Sequence, residues 1–406
     1  MTNTAEPIET IVPVPATPPI LIPNSSTPSS LLRTLFCAPA AAFVRRKILA
    51  VLTLLFLINL AVWFGAIVAL RDFPELLGVA ALAYTLGLRH AVDADHLSAI
   101  DNVTRKLLQS NVSSEPVTVG LFFSLGHSSI VVAASIAIAA TAATIQSRFG
   151  DFQAVGTIIG SSVSAAFLLL IAVMNAVVLV GVIRTLRKLK REGVYQKIDI
   201  EELLAQSGLL GRFFRPVFRF IDAPWKMYPL GLLFGLGFDT STEVALLGIS
   251  ATQSARGMSI WLILLFPALF TAGMSLVDTA DGILMLVAYR WAFVNPVRKL
   301  YYNLLITAMS VTVAILVALI EVLNTFQAKF DLQGSFWDFF ANLGDQFGTI
   351  GYVIIGVFFT TWAISAVVYR WAGYDVLEEE IARRAREEAV GVKVEEGVIK
   401  VVDTAE

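Results

Sequence analysis

Eight apolar stretches, each long enough to cross a lipid bilayer, constrain this chain more than any other feature of its sequence. A transmembrane helix needs about 20 apolar residues to span the roughly 30 Å hydrocarbon layer. Only 15% of the 406 residues are charged, whereas a soluble protein has about 25%. The sequence therefore predicts an all-α, polytopic integral membrane protein with eight transmembrane helices. The stretches lie at about 48–70, 75–100, 117–145, 156–183, 228–250, 259–289, 301–325 and 348–369.

Charge and missing motifs exclude several classes of protein. The formal charge is −2, from 30 basic and 32 acidic residues, so no nucleic acid is expected as a partner. The single cysteine, Cys37, rules out a disulfide framework and a thiolate metal cluster. No G-x-x-x-x-G-K-S/T segment occurs, so the sequence has no ATP-binding motif of that type.

The distribution of lysine and arginine predicts the orientation, because these residues are retained on the cytoplasmic side. If both termini are cytoplasmic, the inner segments hold 25 of the 30 basic residues and the outer loops hold four. The remaining one, Arg89, lies inside the second stretch. Only an even number of spans preserves this split. We therefore expect cytoplasmic N- and C-termini.

Composition also divides the chain into a membrane domain and two tails. Residues 1–44 contain eight of the 15 prolines and no basic residue before Arg33, which predicts a disordered cytoplasmic tail at 1–46. The eight-helix membrane domain is predicted at 47–370, with a basic cytoplasmic loop at 184–227 between two four-span halves. Residues 371–406 are predicted to form a charged cytoplasmic tail.

Ionisable residues inside the predicted spans are the main functional signal. A charged side chain at mid-bilayer costs about 2.5–3.5 kcal/mol on insertion scales. Arg89 is the only permanent positive charge near six carboxylates, so a divalent cation is expected to neutralise the excess. The three histidines and six carboxylates that we predict to bind metal are His90, Asp93, Asp95, His96, His127, Asp239, Glu243, Asp278 and Asp281.

Helical spacing sharpens this prediction. At about 100° per residue, His90, Asp93 and His96 fall within about 120° on one face of the second span, while Asp95 points away. Two imidazoles and one carboxylate form half of a coordination shell, and imidazole suits nickel, cobalt, zinc and copper.

The other charged spans repeat the pattern. Asp239 and Glu243 are four residues apart and share a helix face, and Asp278 and Asp281 lie on one stripe of the sixth span. His127 has small neighbours that allow another helix to approach. Rise per residue places His90 and Asp93 at one depth with groups of three other spans, and His96 nearer the cytoplasm, which predicts a single central site. The groups of the other spans at this depth are His127, Asp239, Asp278 and Asp281.

Each residue also has a structural interpretation that stays open at this point. His127 is about as well suited to a hydrogen bond between helices as to metal binding. The carboxylates of the fifth and sixth spans can pair with Arg89 or order serine and threonine groups. Glu321, near the outer end of the seventh span, is interpreted as solvated. Gly231 with Gly235, and the pair 156 and 160, fit the small-x-x-x-small pattern of close helix contacts.

Four motifs in register make the sequence resemble the nickel/cobalt transporter (NiCoT) permeases. They are RHAVDADHL at 89–97, continuing to 106, FFSLGHS at 122–128, GLGFDTSTE at 235–243 and PALFTAGMSLVDTADG at 267–282. The resemblance implies an eight-span permease of the cytoplasmic membrane for Ni²⁺ or Co²⁺, with both ends inside. It further implies that His90, Asp93, Asp95 and His96 form the selectivity signature, and that the other motifs line the path.

The functional hypothesis is a secondary permease that imports nickel or cobalt as its substrate, without a cofactor and without enzymatic activity. An exporter of the same metals is the first alternative, although exporters are expected to carry histidine-rich loops. The second alternative is a membrane-embedded metallohydrolase that uses the cluster to activate water. The sequence does not rank nickel against cobalt, because both accept the same nitrogen and oxygen ligands. It does not predict the oligomeric state.

Overall fold

Helices account for the regular structure of the part of the chain that is described. The computed structural model describes residues 39–109, 115–140, 149–192, 221–237, 240–292 and 296–371, and no strand occurs among them. The predicted all-α class is therefore confirmed over these ranges. The helices are α1 (Pro39–Ala69), α2 (Leu76–His90), α3 (Ala94–Gln109), α4 (Val119–Ala140), α5 (Phe149–Glu192), α6 (Met227–Phe234), α7 (Ser241–Ala255), α8 (Ile260–Ile263), α9 (Leu265–Ala292), α10 (Pro296–Phe330), α11 (Ser335–Asp345) and α12 (Phe347–Trp371).

Within the described ranges, six helical segments are long and apolar enough to cross a membrane, at the first, third, fourth, sixth, seventh and eighth predicted positions. Large apolar side chains are exposed along them, such as Phe64 on α1 and Ile364 on α12. Exposed apolar side chains on long helices are expected where lipid, rather than water, is the surrounding solvent. The segments are Ala42–Ala69, Val119–Ala140, Ile158–Arg184, Ile260–Tyr289, Leu304–Phe330 and Phe347–Ser365.

The second and fifth predicted spans are not continuous helices, and the predictions of single helices at 75–100 and 228–250 are wrong. The second is divided into α2 and α3, and the fifth into α6 and α7. In the first break, Val92 N donates to Arg89 O and Asp93 N donates to His90 O, which are tight three-residue turns. Leu97 N then donates to Asp93 O in the first turn of α3. Asp93 directly precedes this helix, at a position where aspartate is favoured.

Two basic residues that were assigned to an inner segment from the sequence are buried on α3. Arg105 is 1% exposed and donates to Thr307 Oγ1 at 2.7 Å. Lys106 donates to the carbonyl oxygen of Ile221 at 2.5 Å. Because α3 carries these polar residues inward, it packs within the protein without being apolar enough to qualify as a membrane span.

Glycines let the helices of the site approach one another closely. A Cβ atom at Gly231 would meet the carbonyl oxygen of Phe123, and one at Gly160 would meet the backbone of Gly237. Gly235 packs in the same way against the backbone of His127. The predicted small-residue contacts are therefore confirmed for these glycines, while the surroundings of position 156 lie outside the described residues.

Three apolar clusters surround the break between α2 and α3. One joins α3 to α4, α5 and α6, a second joins α2 to α1, α7 and α9, and a third joins the start of α3 to α5, α10 and α12. All three clusters lie within the range Arg46–Glu406, which forms one unit by itself. The break therefore lies where the apolar packing of most helices meets.

The predicted tails lie largely outside the described residues. The residues outside the description are 1–38 of the first tail, 372–406 of the last tail and 193–220 of the predicted central loop. Helix α5 continues to Glu192, so the predicted loop at 184–227 begins with helical residues. The connection between the last two spans contains α11, which was not predicted and exposes Phe336 and Phe339.

Candidate metal centre

Three histidines from three helices converge at the break between α2 and α3. His90 is the last residue of α2, His96 lies in the first turn of α3, and His127 lies on α4. Their ring centroids are 4.6 to 4.9 Å apart, and one nitrogen of each lies within 4.8 Å of the others. The prediction that His90, Asp93 and His96 share one face of one helix is wrong, because the break brings the two rings together instead.

Two carboxylates fix the orientation of two imidazoles. His90 Nδ1 donates to Asp93 Oδ2 at 2.9 Å, and His96 Nδ1 donates to Asp278 Oδ1 at 3.3 Å. A histidine that binds a metal typically donates its other ring nitrogen to a carboxylate in this way, which sets the tautomer. Both pairs therefore leave Nε2 as the nitrogen that can bind a metal ion.

The Nε2 atoms of His90 and His127 lie 3.0 Å apart, and Glu243 joins them. Glu243 Oε1 is 2.8 Å from His127 Nε2 and 3.9 Å from His90 Nε2. Two ligands at right angles around a first-row metal ion, each about 2.1 Å from it, lie about 3 Å apart. The two shorter distances therefore suit adjacent positions in one coordination shell, and the 3.9 Å between Glu243 Oε1 and His90 Nε2 suits a wider ligand–metal–ligand angle.

Buried nitrogen atoms without hydrogen bonds support the same interpretation. His96 Nε2 and His127 Nδ1 have no hydrogen-bond partner within the described part of the chain. Both side chains are almost fully buried. Leaving a buried polar atom unpaired is unfavourable, by about 1–3 kcal/mol. A metal ion bound by the cluster would remove this penalty at His96 Nε2, but not at His127 Nδ1, because His127 faces the other ligand atoms through Nε2.

Two threonines between the predicted carboxylates contact the cluster, and neither was predicted from the sequence. Thr242 Oγ1 lies 3.1 Å from His90 Nδ1, and Thr240 Oγ1 donates to Glu243 Oε2 at 3.1 Å. The signal that points to them is their position inside the segment Asp239–Glu243, where the chain leaves α6 and starts α7. They orient the imidazole and the carboxylate that border the candidate metal position.

The remaining predicted residues occupy different places. Asp95 is partly exposed and lines a pocket together with His90 and His127. Asp281 lies about one turn beyond Asp278 on α9, in electrostatic range of it. Asp239 lies outside the described residues. The prediction that Asp239 shares a helix face with Glu243 therefore also falls outside the described residues.

The structure also shows the surroundings of two further charged residues, Arg89 and Glu321. Arg89 Nη1 donates to Ser241 Oγ at 3.0 Å, a contact with a hydroxyl that differs from the carboxylate pairings left open above. Glu321 is 4% exposed, so its interpretation as a solvated residue is wrong. The side chain turns into the protein and lines the same pocket as Asp95.

Helix ends of both signs meet at the site: α3 and α7 begin there and present partial positive charge, while two other helices end there. The C-terminal end of α2 lies at His90, and the C-terminal end of α6 leads into Gly235, which packs on His127. The C-terminus of a helix carries a partial negative charge and favours a cation. Interrupted helices whose ends meet at an ion site are a recurring device in membrane transporters.

Comparisons with known proteins show the family to which this chain belongs. The family described as high-affinity nickel-transport protein (NicO) matches residues 76–368. A high-affinity nickel transport protein of Cupriavidus necator is 54% identical over 331 residues, covering 82% of this chain and 94% of that protein. The chain belongs to the NicO family. The matched range contains every described residue of the cluster.

Two further relatives are named for the transport of nickel and of cobalt. The nickel transporter NixA of Staphylococcus aureus is 44% identical, over 75% of this chain and 88% of that protein. The cobalt transport protein NhlF of Rhodococcus rhodochrous is 36% identical, over 71% and 81% respectively. No solved structure gives a significant match. As a NicO-family member with six membrane-spanning helical segments among its described residues, the chain is a multi-pass membrane protein.

Proposed function

We propose that this protein is a secondary permease that imports Ni²⁺, Co²⁺ or both through the site at the break between α2 and α3. The observation that carries the proposal is the convergence of three buried imidazoles whose ring nitrogens lie within 4.8 Å of one another. Imidazole and carboxylate ligands together suit nickel and cobalt. Family membership supports transport rather than catalysis, since the relatives named above are transport proteins.

The site can replace the water shell of the ion with protein ligands. His90 Nε2, His127 Nε2 and Glu243 Oε1 are close enough to bind one ion together. Asp93 and Asp278 hold two of the rings and add negative charge. The membrane potential favours inward movement by about 2.3 kcal/mol per charge per 100 mV.

We further propose eight membrane crossings with both termini in the cytoplasm, in the cytoplasmic membrane. The interrupted pairs α2–α3 and α6–α7 would provide the second and fifth crossings, besides the six continuous segments. An even number of crossings is supported by the distribution of 30 basic residues, which is strongly biased toward one side. Irregular backbone at membrane depth is tolerated where protein covers it, as at these two breaks.

Import is favoured over export by the position of the histidines. The chain has only three, and all of them belong to the buried cluster, so no loop has a histidine-rich segment that would collect cytoplasmic metal. The direction is tested directly with cells or sealed vesicles that maintain an inside-negative potential. Accumulation of radiolabelled nickel supports import, whereas loss of preloaded nickel against the potential supports export.

The metal site is tested with His90→Ala and His96→Ala. We expect both variants to lose nickel accumulation almost completely, because each removes a ring that cannot be replaced by a neighbour. Phe64→Ala, which truncates an exposed ring on α1, is the control and is expected to accumulate nickel normally. Normal accumulation by both histidine variants, at equal amounts of protein in the membrane, would overturn the assignment.

A further inference from the structure

A pocket beside the three histidines contains a carboxylate that none of the four motifs includes. His90 and His127 line this pocket together with Asp95, Ser164 and Glu321. Glu321 belongs to α10, whose residues in this region otherwise pack in an apolar cluster with α5 and α12. Its placement in the same pocket as two metal-binding candidates connects the seventh span to the site.

The surroundings of Glu321 are those of a buried carboxylate rather than of a surface residue. Its side chain is 4% exposed, and Oε1 accepts a hydrogen bond from Ser164 Oγ at 2.8 Å. The neighbouring residues Val317 and Ala318 are fully buried. A carboxylate in apolar surroundings is unfavourable unless hydrogen bonds and a counter-charge compensate for the lost hydration.

We propose that Glu321 is a further binding residue for the transported cation. With Asp95, it provides oxygen ligands on the route to the histidines. The proposal rests on the proposed function as a nickel or cobalt permease. Carboxylate oxygens suit an ion that keeps part of its water shell, whereas imidazole nitrogens suit the dehydrated transition metal. Glu321 therefore receives the hydrated divalent ion, and the histidines complete its dehydration.

Position along the helices places Glu321 toward the proposed outer side. Glu321 precedes the Phe330 end of α10 by nine residues, or about 13.5 Å, while His127 lies at least thirteen residues, or about 20 Å, before the outer end of α4, whose described residues stop at Ala140. In the proposed orientation both ends face outward. An incoming ion thus meets Glu321 before it reaches the three-histidine cluster.

The experiment compares the saturation of nickel uptake in Glu321→Gln, Glu321→Asp and wild type. We expect Glu321→Gln to raise the KM about tenfold or more, as is typical when a group that supports metal binding is lost. Glu321→Asp keeps the charge and is expected to restore most of the affinity. Glu75→Gln removes an exposed glutamate near the start of α2 by the same chemical change and is expected to match wild type.

A second measurement separates binding from structural effects. Purified wild type and Glu321→Gln are heated with and without Ni²⁺, and the increase in melting temperature that nickel causes is recorded. We expect this increase to be smaller in Glu321→Gln even if its melting temperature without nickel is unchanged. If nickel stabilises both proteins equally, or if Glu321→Asp fails to restore uptake while Ser164→Ala reproduces the loss, Glu321 has only a structural role and the inference is wrong.

The failure of this inference can be distinguished from the failure of the proposed function. If wild type accumulates nickel, His90→Ala does not, and Glu321→Gln has a wild-type KM, only the inference is overturned. If wild type itself moves neither nickel nor cobalt, the proposed function fails, and the role assigned to Glu321 fails with it.

Discussion

At the scale of single residues, the site is a cluster of imidazoles whose orientation is controlled by oxygen atoms. Asp93 and Asp278 each accept a hydrogen bond from one ring, and the hydroxyl of Thr242 lies 3.1 Å from His90 Nδ1. Groups of this kind, one step away from the metal, affect affinity by orienting the ligands. Their effect is therefore measurable without removing a ligand.

Thr242→Val tests this role, because it removes the hydroxyl and nearly keeps the shape of the side chain. We expect the affinity for Ni²⁺ to fall about tenfold, since His90 loses one of the groups that hold its ring. Equilibrium dialysis of the purified protein with nickel measures the change.

Thr252→Val is the matched control on the same helix. Thr252 is exposed and bonds only to the carbonyl oxygen of Gly248 among the hydrogen bonds described for it. It is expected to keep the wild-type affinity. Equal affinities for both variants would show that the Thr242 hydroxyl does not orient the ring.

At the scale of helices, the interrupted spans decide the geometry of the site. The break after His90 allows His90 and His96 to approach to 4.6 Å between ring centroids, although they belong to two helices. The last helix, α12, covers this break, because Gly348 lies near Arg89 and Asp93 and Gly351 packs on the Val92 carbonyl oxygen. Close packing on an irregular backbone is possible there because neither glycine has a side chain.

Gly351→Ala is expected to destabilise the protein and reduce nickel uptake. The added methyl group would overlap with the carbonyl oxygen of Val92, which belongs to the backbone and cannot move without shifting the break. Overpacking of this kind costs about 1–3 kcal/mol. The melting temperature of the purified protein, which should elute as a single species, measures the loss of stability. Accumulation of radiolabelled nickel measures the reduction in uptake.

Gly356→Ala on the same helix provides the comparison, because a Cβ atom there meets nothing within 4 Å. Its stability and uptake are expected to remain at the wild-type level. If the two alanine variants behaved alike, the close contact of α12 with the break would not matter for the site.

At the scale of the whole molecule, the orientation of the chain in the membrane determines from which side an ion reaches Glu321 before it reaches the histidines. The proposed topology places the turn between α7 and α8 outside and the C-terminal tail inside. Cys37 is the only cysteine, so single-cysteine variants are simple to make in a Cys37→Ser background.

Labelling with a maleimide that does not cross membranes tests the topology. Ser259→Cys is exposed before α8 and is expected to react in intact cells. Asp375→Cys is expected to react only after the cells are permeabilised. The opposite pattern would place the termini outside and would overturn the proposed topology.

Several features followed from the sequence because they depend on local composition. An apolar run of about 20 residues can satisfy its backbone hydrogen bonds in lipid only as a helix, so six spans were predicted at the correct positions. His90, His96 and His127 were identified because ionisable residues inside such runs need a compensating partner. The kinds of ligand in the site and its approximate depth in the membrane could therefore be predicted without the tertiary structure.

The tertiary structure decided how the residues meet. Helical periodicity placed His90, Asp93 and His96 on one helix face. The helix is instead interrupted between His90 and His96, and His127 from α4 joins them. Glu321 was interpreted as solvated from its position near the end of an apolar run, whereas packing of α10 against α5 buries it beside Ser164. Composition determines that charges must be compensated within the membrane. Which helices supply the compensating groups depends on contacts between residues far apart in the chain, and no local pattern contains that information.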